Sequence, residues 1–264
     1  FTSNPEDYTN RGTIVTPLKD RVGSQILTHY PESIEIAKKI TKQESKIDSE
    51  LGTKIHIPEV ARDIIEQISF EARESDLVDR KSGVSARMSI TSLQNLVSSA
   101  ERRMIINKEG KTSIRMSDFS SVISSINGKV ELVYEGEEEG AEQVSYNLIS
   151  SAVKSIFNKY FPKIEKLTKP DEITPYDKLL NWFSNKQLVI NDNLNNKDYE
   201  NLLNEVIDAK KLIKKYIPEL NDDDELFFVE FILWGLESYN KLSILRTNNG
   251  IEYKDPFNNF INKI

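Results

Sequence analysis

The sequence contains no cysteine and only two histidines among its 264 residues. The absence of cysteine excludes a disulfide scaffold, thiolate metal sites and cysteine catalysis. Two histidines, His29 and His56, argue against a histidine-based metal site or catalytic triad. The net charge of −7 leaves no basic excess of the kind that a nucleic-acid-binding surface needs. We therefore expect no nucleic-acid partner.

Long apolar runs are also lacking. The longest run extends from Leu226 to Leu236 and is interrupted by Glu230. A bilayer needs about 20 apolar residues, so this run predicts a buried core helix and no membrane partner. No signal peptide is visible, which favours a cytoplasmic protein. The opening FTSNP reads like the end of a buried strand that enters a loop, so we expect a piece of a longer protein.

Charge divides the chain into two parts. Basic and acidic residues balance in residues 1–134, so the whole net charge lies in residues 135–264. Every arginine except Arg246 falls in the first part. Between the parts lies an acidic run with two glycines, from Glu135 to Glu142. Such runs are typical of linkers or exposed loops, so we predict a domain boundary there.

Hydrophobic spacing predicts mostly helices, and the expected fold class is mainly α. In the first part, a short strand is expected over 24–30, followed by helices over 32–46, 58–74, 89–107 and 117–126. The second part is predicted to be wholly helical, with helices over 145–161, 175–185, 198–216 and 225–245.

Familiar catalytic motifs are missing. The sequence has no phosphate-binding loop of the form GxxxxGK[ST], no GxGxxG, no GxSxG and no HExxH. Carboxylate pairs are plentiful, but on charged helices they are usually surface residues. Taken alone, this chain has no self-sufficient catalytic site.

Three polar residues nevertheless stand in a suggestive order. Asn4 lies in TSNP (2–5), after an apparent strand end. Arg21 lies in LKDRVG (18–23), just before the predicted strand. Arg87 lies in SGVSARMS (82–89), at the start of a predicted helix. Taken singly, each residue is more typical of a turn residue or a salt-bridge partner. Their order and spacing along the chain are what indicate a possible function.

These three motifs resemble the second half of an AAA+ ATPase core, most closely that of the magnesium chelatase ATPase subunit and its MoxR-like relatives. That group shows ATxNPE and then LDRF before the last core strand. The resemblance covers about residues 1–134. It implies that residues 1–30 are the C-terminal edge of an α/β core, that 31–134 form a helical lid, and that 141–264 form a helical C-terminal domain.

The resemblance also implies roles for the three residues. Asn4 would be the sensor 1 residue, which orients the attacking water without adding charge. Arg21 would be the arginine finger that reaches a nucleotide on the neighbouring subunit of a homo-oligomeric ring, often a hexamer. Its planar, permanently charged guanidinium suits that task better than lysine does. Arg87 would be the sensor 2 arginine, which links the lid to the nucleotide.

The sequence also departs from the family pattern. The phosphate-binding loop and the acidic motif that holds Mg²⁺ should lie N-terminal to Phe1, so ATP and Mg²⁺ are expected in the parent protein and the chain alone is expected to be inactive. Lys19 stands where the family more often has an apolar residue. Arg11 is a competing candidate for contact across a subunit boundary.

Several alternatives stay open at this point. The parent could couple hydrolysis to the remodelling of a protein partner or to metal or cofactor insertion. It could instead be a sigma-54-type activator or a replicative helicase of the same superfamily, although the charge argues against a direct grip on DNA. The last alternative is a non-enzymatic helical interaction module, with an accidental motif resemblance.

Overall fold

A computed structural model describes residues 20–24, 26–79, 82–164, 174–247 and 249–256. Helices dominate these residues, so the fold is mainly α, as predicted. The helices are α1 (Ile34–Glu44), α2 (Ser49–Lys54), α3 (Glu59–Glu74), α4 (Arg87–Ile106), α5 (Ile123–Asn127), α6 (Tyr134–Glu139), α7 (Ala141–Tyr160), α8 (Asp177–Asn185), α9 (Asn196–Asn204), α10 (Ile207–Tyr216) and α11 (Glu225–Ser238). Short 3-10 helices cover Met116–Val122 and Asp222–Asp224, and the strands are β1 (Ile55–His56), β2 (Thr112–Ser113), β3 (Leu188–Asn191), β4 (Ser243–Thr247) and β5 (Gly250–Lys254).

Local sequence explains the helices of the first part. The Ser33 hydroxyl caps α1 by accepting a hydrogen bond from the backbone N–H of Ile36 at 3.3 Å. Pro58 precedes the first turn of α3, where a missing N–H costs nothing. The buried positions of α3 follow helical spacing, as the sequence predicts: Val60, Ala61, Ile64, Ile65, Ile68 and Ala72. The predicted helix over 58–74 is thus confirmed.

Helix α11 forms the centre of the core. Every residue from Phe227 to Leu236 is buried, including Glu230, which confirms the core helix predicted for the apolar run. Helix α7 packs against both α11 and α3, with Phe157 facing the rings of Phe161 and Phe231. Buried residues on both sides of 135–142 belong to one hydrophobic cluster.

The close approach of α7 to α11 depends on Gly235. A Cβ added there would lie 2.2 Å from a ring carbon of Phe157. We expect Gly235→Ala to lower the free energy of unfolding of this chain by about 1–3 kcal/mol, because the ring must move within a packed core. Urea unfolding followed by circular dichroism measures this change.

Gly52→Ala is the matched control for that prediction. A Cβ at Gly52 meets nothing within 4 Å, and Gly52 lies within α2. Alanine favours a helix over glycine, so this variant should be as stable as the wild type or slightly more stable. Equal unfolding midpoints for the two variants would contradict the packing account.

The prediction of a wholly helical second part is wrong. Strands β3, β5 and β4 form an antiparallel sheet in that order, with Val189 and Leu245 both aligned with Glu252. The helix predicted over 225–245 ends at Ser238, and Asn240 adopts a left-handed φ of 57°. Asparagine tolerates this conformation, which ends the helix and directs the chain into β4. Likewise, the helix predicted over 198–216 is two helices, α9 and α10.

Two further expectations for local structure are corrected. The acidic run predicted as a linker or loop contains α6, and Gly136 is buried within it. A Cβ on Gly136 would lie 2.6 Å from the carbonyl oxygen of Leu77, so glycine allows this close contact. The strand predicted over 24–30 is absent from the described residues of that range, where Ile26 and Leu27 are largely exposed. Without a neighbouring strand, the backbone there has no ladder to join.

Candidate functional site

Arg87 occupies the first position of α4, as the sequence predicts for the start of a helix. Its side chain is exposed. Its backbone N–H donates to the Ser85 hydroxyl at 3.2 Å, and its carbonyl accepts from the Thr91 hydroxyl at 2.9 Å. The N-terminus of this 20-residue helix carries its own partial positive charge beside the Arg87 guanidinium. Arg87 can therefore attract an anionic group such as a phosphate.

Of the other predicted residues, the structure describes only Arg21. Arg21 is exposed and, with Asp20, lies in a helical segment. Asn4 and Arg11 lie outside the described residues. Among the described residues, Tyr30 contacts the turn before Arg87. This contact joins the chain that follows Arg21 to the start of α4.

Tyr30 links its own segment to helix α3 and to the turn before α4. Its hydroxyl accepts a hydrogen bond from the backbone N–H of Val84 at 3.0 Å. The guanidinium carbon of Arg73 lies 4.1 Å from the centre of the Tyr30 ring and 5.0 Å from that of Phe70. These are cation–π distances, so both rings contact the cation. Sequence reasoning missed both Tyr30 and Arg73, which carry no motif.

A buried polar cluster lies between α1, α3 and α4. The hydroxyls of Ser69 and Ser89 are 2.7 Å apart and buried. The Glu66 carboxyl is also buried, and burial raises its pKa, although hydrogen bonds from Thr41 and Ser89 and the charge of Arg73 act in the opposite direction. The cluster fixes the first turn of α4 on α3, and so it fixes the backbone from which Arg87 projects.

A second buried network surrounds Glu230. One carboxylate oxygen accepts from the Tyr199 hydroxyl at 2.8 Å and from the backbone N–H of Met116 at 3.1 Å. The other accepts from the Tyr253 hydroxyl at 3.0 Å. Burial raises the pKa of Glu230, and the hydrogen bonds from the tyrosines oppose that rise. The network joins α11, α9 and β5 to the 3-10 helix of the first part.

Two buried arginines extend this network. The guanidinium of Arg115 lies 3.9 Å from the ring centre of Tyr199 and donates to the Leu194 carbonyl at 2.8 Å. Burial lowers the pKa of Arg115 to about 10. Arg103 forms a buried ion pair with Asp118 and donates to the Ser113 carbonyl at 2.8 Å. These groups bond one another within a packed core, so we assign the network to stability.

The described residues hold no cluster of three or more histidine, aspartate or glutamate side chains arranged to bind a metal ion. In the same part of the chain, each helix is too short or too polar to cross a membrane. No family model, curated protein or solved structure matches this chain.

Proposed function

We propose that this chain is the C-terminal part of an AAA+ ATPase of the magnesium chelatase ATPase subunit and MoxR-like group. In this proposal the parent protein is a cytoplasmic, homo-oligomeric ring. It couples ATP hydrolysis to the remodelling of a protein partner or to metal or cofactor insertion. The three motifs support the proposal, because they occur in the family order and at plausible spacing.

One structural observation carries the proposal furthest. Arg87 projects from the start of α4, and the turn before α4 contacts Tyr30, nine residues after Arg21 along the chain. In a ring ATPase, a finger arginine that reaches the neighbouring nucleotide and a lid arginine have to act together, so a direct contact between their segments suits this proposal.

The described residues fit part of an ATP site. Exposed guanidinium groups on Arg21 and Arg87 suit phosphate oxygens, since a guanidinium can donate two parallel hydrogen bonds. Bound ATP with Mg²⁺ supplies the phosphoryl group that is transferred to water. Arg87 would hold the lid against the phosphates, and Arg21 would stabilise transferring charge on the neighbouring subunit.

Arg87→Ala tests this proposal in the full-length protein. We expect the rate of ATP hydrolysis to fall about tenfold to a hundredfold, because a hydrogen bond to a charged group contributes roughly 1.5–3 kcal/mol. A coupled assay of phosphate release measures the rate.

Arg102→Ala is the matched control, because Arg102 is exposed on the same helix, near its opposite end. This variant should hydrolyse ATP like the wild type. Equal rates for the two variants would remove Arg87 from the site. A purified, assembled wild-type protein without ATP hydrolysis would refute the proposed function itself.

A further inference from the structure

The Tyr30 contact reaches the backbone just before the Arg87 helix. Val84, whose N–H bonds the Tyr30 hydroxyl, is buried and lies three residues before Arg87. Gly83 adopts a left-handed φ of 71°, which turns the chain towards α4. The Ser85 carbonyl then accepts from the N–H of Met88 at 2.9 Å, within the first turn. A shift of Tyr30 would therefore move a short, constrained turn whose end carries Arg87.

The ring of Tyr30 also makes a described contact, although the residue is 44% exposed. Arg73 lies over it, and the Nε atom of Arg73 is buried with no hydrogen-bond partner among the described residues. The rings of Tyr30 and Phe70 therefore contact a guanidinium whose Nε atom makes no described hydrogen bond. Arg73 belongs to α3, which the Ser69–Ser89 contact joins to α4. Tyr30 therefore contacts α3 through its ring and the α4 turn through its hydroxyl.

Tyr30 also belongs to the segment that carries Arg21. Only eight residues separate Arg21 from Tyr30, and the chain then enters α1 through Pro31, whose φ is fixed by its ring. The Tyr30 hydrogen bond is a long-range contact that ties this segment to the α4 turn, 54 residues further along the chain.

We propose that Tyr30 is a positioning residue that sets the placement of Arg87 relative to the Arg21 segment. This inference rests on the proposed ATPase function. The Tyr30 hydroxyl holds the Val84 turn, and the turn holds the first residue of α4. In this proposal, a displacement of Tyr30 would be passed through the Val84 turn to Arg87.

Tyr30→Phe in the full-length protein tests the inference, because it keeps the ring over Arg73 and removes only the hydroxyl. We expect the turnover number for ATP to fall about two- to tenfold, the range that corresponds to one neutral hydrogen bond. Tyr134→Phe is the matched control, because Tyr134 is 69% exposed. It should leave turnover unchanged.

A double-mutant cycle separates positioning from simple destabilisation. In an Arg87→Ala background, Tyr30→Phe should change turnover by less than about 1.5-fold, because the residue that it positions is gone. Hydrogen exchange should also show faster exchange of the Val84 amide in Tyr30→Phe and not in Tyr134→Phe.

The outcomes distinguish the two proposals. The same fold-loss from Tyr30→Phe in both backgrounds, or an unchanged Val84 amide, would overturn the inference while Arg87→Ala still supported the ATPase. Wild-type turnover in Tyr30→Phe would overturn it as well. A wild-type protein that assembles but does not hydrolyse ATP would overturn the ATPase proposal, and the inference with it.

Discussion

Arg21→Ala in the full-length protein is expected to reduce ATP hydrolysis by roughly 10³–10⁵-fold and to leave the affinity for ATP nearly unchanged. An arginine finger acts on charge that develops during phosphoryl transfer, so under this proposal the loss of Arg21 would affect the reaction more than binding. Single-turnover hydrolysis and equilibrium binding of a fluorescent ATP analogue measure the two quantities separately.

A simpler role for Arg21 predicts a different result. If Arg21 only pairs with a nearby acid such as Asp20 to hold its loop, the variant should lose a little thermal stability, because Arg21 is exposed. Hydrolysis per folded molecule would then persist. Arg102→Ala again serves as the exposed control, and Arg11→Ala tests the competing candidate. Normal turnover by an assembled Arg21→Ala ring would end the finger assignment.

Glu230→Ala should destabilise the chain more than Gly235→Ala does, with a loss of about 3–5 kcal/mol in the free energy of unfolding. The truncation leaves three buried donors without their acceptor: the hydroxyls of Tyr199 and Tyr253 and the N–H of Met116. It also leaves a cavity beside α11. Urea unfolding of this chain measures the loss.

Glu230→Gln is the matched variant, because its amide oxygen can accept from Tyr199 and Met116 where the Glu230 oxygen does. Its amide N–H can donate to the Tyr253 hydroxyl oxygen, which also accepts from the Trp234 indole N–H at 2.8 Å, so only the Tyr253 hydroxyl proton loses its acceptor. We expect a much smaller loss than for alanine. Similar losses for the two variants would contradict this account, because glutamine keeps both the side-chain volume and the acceptor oxygen that alanine removes.

The wild type and the Gln variant should also differ in pH dependence. Burial raises the pKa of Glu230 above its usual 4.5, so the folded state holds this proton more tightly than the unfolded state does. The resulting stability is complete below pH 4.5 and is lost as the pH rises through the folded pKa. Glutamine does not titrate, so the Gln variant should gain stability relative to the wild type over that interval.

Patterns that repeat along one element predicted much of the fold. The spacing of Val60, Ile64 and Ile68 predicted α3, and the run from Leu226 to Leu236 predicted α11. The sheet was missed because its strands have only four or five residues each, which is too few to establish an alternating pattern. The strand predicted over 24–30 rested on composition alone, and composition does not supply a neighbouring strand.

Only those parts of the candidate site that depend on neighbouring residues in the sequence could be predicted. Arg87 stands at a helix start, which hydrophobic spacing can indicate. The Tyr30–Val84 bond joins residues 54 apart, and the Glu230–Met116 bond joins residues 114 apart, so no local pattern encodes either contact. One signal for the second network was visible: Glu230 is the only acid within the most apolar run of the chain.

The central claim is that this chain supplies Arg21 to a nucleotide on the neighbouring subunit. Mixed rings test it most directly. In the proposed parent ATPase, Arg21→Ala subunits would keep an intact nucleotide site, and subunits with a disabled phosphate-binding loop would keep Arg21. Neither should hydrolyse ATP alone. In an equal mixture, one interface in about four combines the two intact halves, so activity should return to about a quarter of the wild-type rate. No recovery in rings shown to contain both subunits would contradict the claim.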